Sequence, residues 1–248
     1  MKTIRFLFCL LFLAIAMPIT LLAQRDQLAS SVPQAVNPYD YFKLGETAWA
    51  LCRFEYYRAI HDSLRDRLKE NRALMERLGI PADVLATYDA LAATAGALPF
   101  SVGFNKWTPT DQQKWKTDGW TSMNKLLGGL RGQVQKNPQA AFYYFLGLSS
   151  IKLGWSIPQD LNQNGLLLAD LINTQIKPTL ANFKGIGQQQ ELMATLAPNA
   201  QAAVQTITGI AARTDDPLGP GITAEDVNKA AAACETLRQL ARDNKLVR

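Results

Sequence analysis

Histidine is almost absent from this chain, since His61 is the single one among 248 residues. A zinc motif of the His-Glu-x-x-His type needs two histidines on one helix, and a di-iron bundle needs two Glu-x-x-His helices. The sequence therefore excludes both kinds of metal site, and we expect no bound metal. A role for His61 as a base or haem ligand stays open, although a histidine on a helix surface or at a core edge is the more common case.

Short catalytic motifs are missing as well. The chain has no Gly-x-Ser-x-Gly, so the common hydrolase elbow is absent. The stretches "GGLRGQ" (128–133) and "KGIGQQQ" (184–190) complete neither a phosphate loop nor a dinucleotide fingerprint. Glu46 and Glu55 lie on an otherwise apolar segment, but nine residues place them on opposite faces of a helix. We predict no catalytic residue and no cofactor.

The first 23 residues have the features of a secretory signal peptide. Lys2 and Arg5 precede an apolar run over 6–17, which ends at Pro18, and Ala23 offers a small residue for cleavage. The run is shorter than the ~20 apolar residues of a membrane helix, which argues against the alternative of an uncleaved anchor. The sequence predicts a mature chain that begins near Gln24 and lies in the periplasm or is secreted.

The net charge is mild. The full sequence carries +5, and removal of Lys2 and Arg5 with the signal peptide leaves 24 bases against 21 acids, a net charge of +3. A nucleic-acid-binding protein usually has a concentrated basic face. We therefore expect no nucleic acid among the partners.

The mature chain shows helical signals throughout. Residues 24–37 are polar and aperiodic, which is typical of a flexible linker, and 38–248 are expected to form a single helical domain. No two-residue alternation indicates a strand. The predicted fold is an irregular all-α bundle of about six to eight helices. Their predicted N-caps include Asn37, Thr108, Asn137 and Thr223, and their predicted spans are 38–78, 81–97, 109–136, from 138, 165–184, 187–197, 198–213 and from 223.

One apolar stretch, "AAFYYFLGLSSIKLGWSI" at 140–157, is too short to span a bilayer and is typical of a helix buried nearly all round. Its Tyr143, Leu146, Gly147 and Leu153 have the spacing of a tetratricopeptide helix, which this stretch resembles together with "YFKLGETAWALCRF" at 41–54. The resemblance implies helical-repeat-like helix pairs. It covers only these two stretches, and we expect Pro158 to interrupt the following helix. We predict that Gly45 and Gly147 permit close helix contacts.

Two cysteines remain after export, Cys52 and Cys234. Each lies on the apolar stripe of a helix, so both are expected to point toward a core. Export makes a disulfide between them possible, and two buried free thiols are the alternative. The stripe around Cys234 contains Val227, Ala230, Ala231, Leu237 and Ala241.

Aromatic and basic residues alternate between 100 and 120. Lys106, Trp107 and Trp115 are the candidate ligand-binding residues, because aromatic rings beside cations stack sugars or hold peptides. Trp107 precedes the cap of a helix and is expected to meet solvent. Trp115 shares a helix face with Gly119 and Ser122, a potential groove. Plugging of the core by these rings is the alternative.

The sequence as a whole favours an exported, non-catalytic binding or protein-interaction module. Its partner would be a protein or a polymer, without a membrane span after signal cleavage. The alternative is an extracytoplasmic enzyme of a motif-poor class, such as a carboxylate-based enzyme that acts on polysaccharides. The sequence does not indicate the oligomeric state.

Overall fold

The all-α prediction is confirmed by a computed structural model, which describes residues 36–50, 64–99, 106–162, 167–213 and 221–248. Within these residues the chain forms nine helices and no strand. Three helices contain one π-helical turn, in which backbone bonds reach five residues back instead of four. The helices are α1 (Pro38–Ala50), α2 (Leu64–Arg77), α3 (Ala82–Gly96), α4 (Pro109–Lys114, π-turn Trp115–Gly119, Trp120–Val134), α5 (Pro138–Ile151, π-turn Lys152–Ser156, Ile157–Asn162), α6 (Leu168–Leu171, π-turn Ile172–Ile176, Lys177–Gly187), α7 (Gln190–Met193), α8 (Pro198–Ala212) and α9 (Ala224–Arg242).

Two helices begin with the predicted Asn-Pro pair. Proline has no backbone N–H, so the asparagine oxygen reaches the next residue instead. Asn37 Oδ1 accepts a hydrogen bond from the N–H of Tyr39 at 3.0 Å, and Asn137 Oδ1 accepts one from Gln139 at 2.9 Å. The predicted caps of α1 and α5 are therefore confirmed.

The predicted threonine caps of α4 and α9 are confirmed too. Thr108 Oγ1 accepts from the N–H of Asp111 at 3.1 Å, and Thr223 Oγ1 accepts from that of Asp226 at 3.2 Å. In α9 the bonds are reciprocal, because Asp226 Oδ2 accepts from the N–H of Thr223 at 3.0 Å, and Arg213 pairs with the same carboxylate. Burial favours the neutral acid, but the hydrogen bonds from Thr223 and Arg213 outweigh it and lower the pKa of Asp226.

The described chain contains two compact units. One is formed by residues 40–148, which include α1 to α4 and the start of α5. The other is formed by residues 36–39 and 149–248, which include the rest of α5 and α6 to α9. The single domain predicted over 38–248 thus contains two units.

Glycines bring α1 and α5 into backbone contact inside the unit formed by residues 40–148. A side-chain carbon built on Gly45 would lie 2.0 Å from the carbonyl oxygen of Tyr144, and one built on Gly147 would lie 2.0 Å from that of Phe42. Carbon–oxygen contacts normally measure about 3.3–3.6 Å, so neither position has room for a larger residue. The close contacts predicted for both glycines are confirmed, and the two glycine-containing motifs contact each other.

The apolar start of α5 is buried on every side. All eight residues from 140 to 147 are buried, as the sequence predicts for this stretch. Within the described ranges, no helix has both the length and the apolar character that a bilayer crossing requires.

Ion pairs connect α2 to its neighbours in the same unit. An i,i+4 pair forms within α2 between Arg72 Nη1 and Glu76 Oε1 at 2.6 Å. Arg72 Nε also contacts Asp89 Oδ1 of α3 at 2.8 Å, and Arg77 Nη2 contacts Asp40 Oδ1 of α1 at 2.7 Å. These pairs are largely exposed, and each stabilises the folded state by about 0–1 kcal/mol. They therefore contribute to the orientation of the helices more than to the stability of the fold.

Two prolines lie inside helices, and a π-turn ends two residues before each. The turn Lys152–Ser156 precedes Pro158, and the turn Ile172–Ile176 precedes Pro178. Each proline therefore occupies the first turn of a new α-helical segment, where no N–H is required. The prediction that Pro158 interrupts the helix is therefore wrong. The chain stays helical through Pro158, and α5 continues to Asn162.

The second unit is centred on α6, α8 and α9. The predicted stripe of α9 is confirmed, since Val227, Ala230, Cys234 and Leu237 are buried and Ala231 and Ala241 are half-buried. Gly154 of α5 lies against this stripe, where a side-chain carbon would come within 2.9 Å of Cys234 Cβ. At the end of the described chain, Leu196 and Val247 form an isolated antiparallel bridge.

Candidate binding surface

The predicted ligand-binding residues occupy the start of α4. Lys106 is exposed, whereas Trp107 is only 4% exposed and Trp115 only 3%. The expectation that Trp107 meets solvent is therefore wrong. Trp107 directly precedes the Thr108 cap, a position whose apolar side chain often packs on the first helical turn, and the side-chain amide of Gln112 donates to its carbonyl oxygen at 3.2 Å.

The ring of Trp115 lies over Gly119. A side-chain carbon on Gly119 would come within 2.2 Å of ring atom Cε3 of Trp115, so only glycine leaves room for the ring. The groove predicted beside Trp115 is thus filled at Gly119 by the tryptophan itself. Ligand binding by Lys106, Trp107 and Trp115 stays a prediction, and Lys106 is the exposed member of the three.

The net charge of the chain is concentrated around α4. Between Asp89 and Asp160 the sequence contains seven of its 26 bases but only two of its 21 acids, so this segment carries +5. The remaining 19 bases and 19 acids cancel. Its lysines in and next to α4 are exposed, namely Lys106, Lys114, Lys116, Lys125 and Lys136.

Three residues of α4 and one just beyond it form an exposed face, which we call the Lys–Gly face: Lys125, Gly128 and Gly132 lie in α4, and Lys136 lies in the turn two residues after its end at Val134. The spacings of three and four residues keep the three helical members within about 60° of the helix circumference, and Lys136 follows Gly132 by a further four residues. Among the described residues, a side-chain carbon on Gly128 or Gly132 would have no neighbour within 4 Å. The centre of this face is therefore bare backbone with a cation at each end.

The charges of the Lys–Gly face are not neutralised by the part of the chain that the structure describes. No ion pair there includes a lysine of α4. Lys136 Nζ donates to the neutral side chain of Gln133 at 2.9 Å. Arg131, by contrast, is half-buried with its guanidinium 5.8 Å from the ring centre of Phe145. Both lysines thus keep their charge available for a partner.

A second surface feature lies in the other unit, between α8 and α9. It is a shallow, open groove of about 300 Å³. Its lining has no charged side chain and consists of Asn199, Ala202, Ala203, Thr206, Ala233 and Thr236. This groove offers small side chains and hydroxyls, but no group that would orient a charged ligand.

A buried polar contact joins α5 to α6 in the same unit, and the sequence analysis missed it. The side-chain amide of Gln175 donates to Asp160 Oδ2 at 3.2 Å, and that of Asn182 donates to Ser149 Oγ at 3.4 Å. Asp160 and Ser149 are almost fully buried. Asp160, a carboxylate in an otherwise apolar helix, is the feature of the sequence that would have indicated this contact. These bonds select one register between the two helices.

Cys234 is fully buried, and this burial raises the pKa of its thiol. A thiol in such surroundings is a poor nucleophile. Cys52, Glu55 and His61 lie outside the described residues, so the bridge from Cys52 to Cys234 stays a prediction. Glu46 is half-buried on α1. Across the described ranges, no cluster of three or more His, Cys, Asp or Glu residues is arranged to hold a metal ion.

No protein-family model matches the chain, and no curated protein or solved structure is significantly similar to it. The likeness of the two glycine-containing motifs to a tetratricopeptide helix therefore carries no family assignment. Any functional conclusion has to rest on the surfaces described above.

Proposed function

We propose that this protein is an exported, non-catalytic binding module that holds an anionic partner, a protein or a polymer, through the exposed lysines in and next to α4. The supporting observation is the distribution of charge. The whole net charge of the sequence lies between Asp89 and Asp160, and the lysines of α4 are exposed. A concentrated field of one sign attracts partners of the other sign and speeds their association.

Export is part of the proposal. It rests on Lys2, Arg5, the apolar run that follows and the small residue at Ala23. The protein isolated from the producing cell should therefore begin near Gln24. N-terminal sequencing tests this, and an intact Met1 on a membrane-bound chain would contradict it.

The carboxylate-based enzyme receives less support. Asp160 and Asp226 are the buried carboxylates in the described part of the chain. Asp226 caps α9 and pairs with Arg213, while Asp160 accepts a hydrogen bond from Gln175. Both sets of bonds fit a structural role, and neither carboxylate belongs to a described pair that would act as acid and base.

Binding is tested by moving the same amount of charge at two places. One variant changes Lys116 and Lys125 of α4 and the adjacent Lys136 to Gln. The matched control changes Lys43, Lys69 and Lys177, which are also exposed, to Gln. The immobilised proteins are exposed to the extracytoplasmic fraction of the producing cell at low and high salt. The wild type and the control should retain the same anionic species at low salt, and the α4 variant should lose them.

The proposal fails if all three proteins retain the same species. It also fails if the control variant loses them as completely as the α4 variant. In the first case the lysines changed in the α4 variant have no role in binding. In the second case the loss of binding comes from the lower total charge alone.

A further inference from the structure

Gly128 and Gly132 are unfavourable residues at their positions. Gly128 lies in the interior of the segment Trp120–Val134 and Gly132 in its last turn, and glycine in a helix interior costs about 1 kcal/mol relative to alanine. Both have ordinary helical backbone, so neither is needed for a left-handed conformation. No atom of the described residues lies within 4 Å of a side-chain carbon at either position. The described structure therefore contains no packing contact that requires them.

Elsewhere the same chain uses helical glycines for close approach. Gly45 of α1 and Gly147 of α5 each leave room for the backbone of the other helix. Gly129 leaves room for Val84 of α3, whose Cγ2 would lie 2.8 Å from a side-chain carbon built on Gly129. Gly129 is adjacent to Gly128 but about 100° away around the helix. It packs inside the unit, whereas Gly128 faces solvent. Gly128 and Gly132 leave open the space that a neighbouring helix backbone fills at Gly45 and Gly147.

The spacing of the glycines fits a crossing helix. Gly128 and Gly132 are one helical turn apart, and small residues four apart let two helix backbones approach more closely than the usual 8–10 Å. Lys125 and Lys136 flank this crossing point and are eleven residues apart, about 16 Å along the axis. A straight partner helix that crosses at the glycines passes within reach of both lysines.

Charge complementarity selects the partner. A second copy of this face would bring lysines against lysines, whether the two helices ran parallel or antiparallel, because Lys125 and Lys136 lie at opposite ends of the glycine pair. Like charges across an interface are unfavourable. A partner with carboxylates at both ends is attracted instead. A flat anionic surface would use the lysines but would gain nothing from the glycines.

We propose that the Lys–Gly face docks an acidic α-helix of a partner protein. The partner helix presents small residues at the crossing with Gly128 and Gly132 and carboxylates to Lys125 and Lys136. This inference rests on the proposed binding function and specifies the partner of the same surface.

The test uses a synthetic helical peptide as the probe. It is rich in alanine, with glutamates about eleven residues apart and only alanine and glycine on the face between them. Its affinity for the mature protein is measured by fluorescence anisotropy. Gly128→Leu and Gly132→Leu fill the space without changing the charge, and both should weaken binding by about tenfold or more. Gly209→Leu is the matched control, because Gly209 is also exposed, lies in a helix and has no neighbour within 4 Å.

Charge reversal provides the second variant. Lys125→Glu with Lys136→Glu should abolish binding of the acidic peptide and should allow binding of a peptide with lysines in place of its glutamates. Circular dichroism checks that each variant is folded, which is expected because leucine favours helix more than glycine does and glutamate about as much as lysine.

The inference is overturned if the peptide does not bind the wild type, or if the glycine variants bind it as well as the wild type does. It is also overturned if phosphatidylglycerol vesicles bind and only the lysine changes weaken that binding, which would assign the face to an anionic surface. In each of these cases the capture experiment with the lysine variants still tests the proposed function separately.

Discussion

The contact between α1 and α5 and the exposed face of α4 contain the same residue in opposite surroundings. At Gly147 the carbonyl oxygen of Phe42 occupies the place of a side chain, and at Gly132 no atom of the described residues lies within 4 Å of that place. Glycine weakens a helix at both positions through its conformational freedom. Backbone packing offsets that loss at Gly147, and nothing in the described structure offsets it at Gly132. Gly147 thus serves the fold, whereas Gly132 is open in the described structure, as Gly209 of α8 is too.

The first prediction concerns the cross-link, because it has the largest expected effect on stability. If Cys52 and Cys234 are bridged, reduction should lower the free energy of unfolding by about 4–5 kcal/mol, since the closed loop spans most of the mature chain. Cys52→Ser should match the reduced wild type and should not respond to reductant. Thiol counting on the denatured, unreduced protein decides the matter: two free thiols per chain contradict the bridge.

The second prediction breaks the closed contact. Gly147→Ala places a carbon 2.0 Å from a backbone oxygen of α1, which cannot rotate away as a side chain can. The helices must separate, and we expect the free energy of unfolding to fall by about 3 kcal/mol or more. Urea unfolding followed by circular dichroism measures the change. An unchanged midpoint would show that α1 and α5 do not approach this closely.

The third prediction uses a contact that is close but movable. Gly119→Ala would displace the ring of Trp115, and a side chain shifts more easily than a backbone, so we expect a loss of about 1–3 kcal/mol. The tryptophan emission should move to longer wavelength as the ring becomes more exposed. If neither the emission nor the stability changes, Trp115 does not cover Gly119.

The smallest effect should have the opposite sign. Gly128→Ala adds a methyl group to an open helix face and removes conformational freedom from the unfolded chain. We expect a gain of about 0.5–1 kcal/mol in the free energy of unfolding. Gly209→Ala, at an open position of α8, should behave in the same way. A loss of stability at Gly128 alone would show that the Lys–Gly face is already in contact with another part of this chain.

The sequence predicted those features of the fold that depend on neighbouring residues. The caps at Asn37 and Thr223 need only a side chain and an N–H two or three residues away, so they were found at the correct positions. The continuity of α5 through Pro158 was not predicted, because proline is a helix breaker by its local chemistry. What keeps α5 continuous there is the preceding π-turn, which has no known short sequence signal.

The candidate site was less predictable, because exposure depends on which helix face the rest of the fold covers. Trp107 was expected at the surface and is buried. The sequence of "GGLRGQ" suggests only an incomplete phosphate loop, since it does not show that Gly129 packs on Val84 while Gly128 is open in the described structure. The lysines and glycines of the Lys–Gly face are exposed because α3 packs against a different side of α4, at Gly129.

The π-turns before Pro158 and Pro178 also determine how insertions and deletions act in this protein. Each π-turn amounts to one additional residue in a helix, and one residue rotates everything that follows by about 100°. Deleting a residue from Lys152–Ser156 would leave every loop length unchanged, yet it would turn Asp160 away from Gln175 and carry Pro158 into a regular helix. A related chain that differs by one residue here would present a different side of the helix to its neighbours. An alignment that places such a gap in a nearby loop would then compare residues whose side chains point about 100° apart.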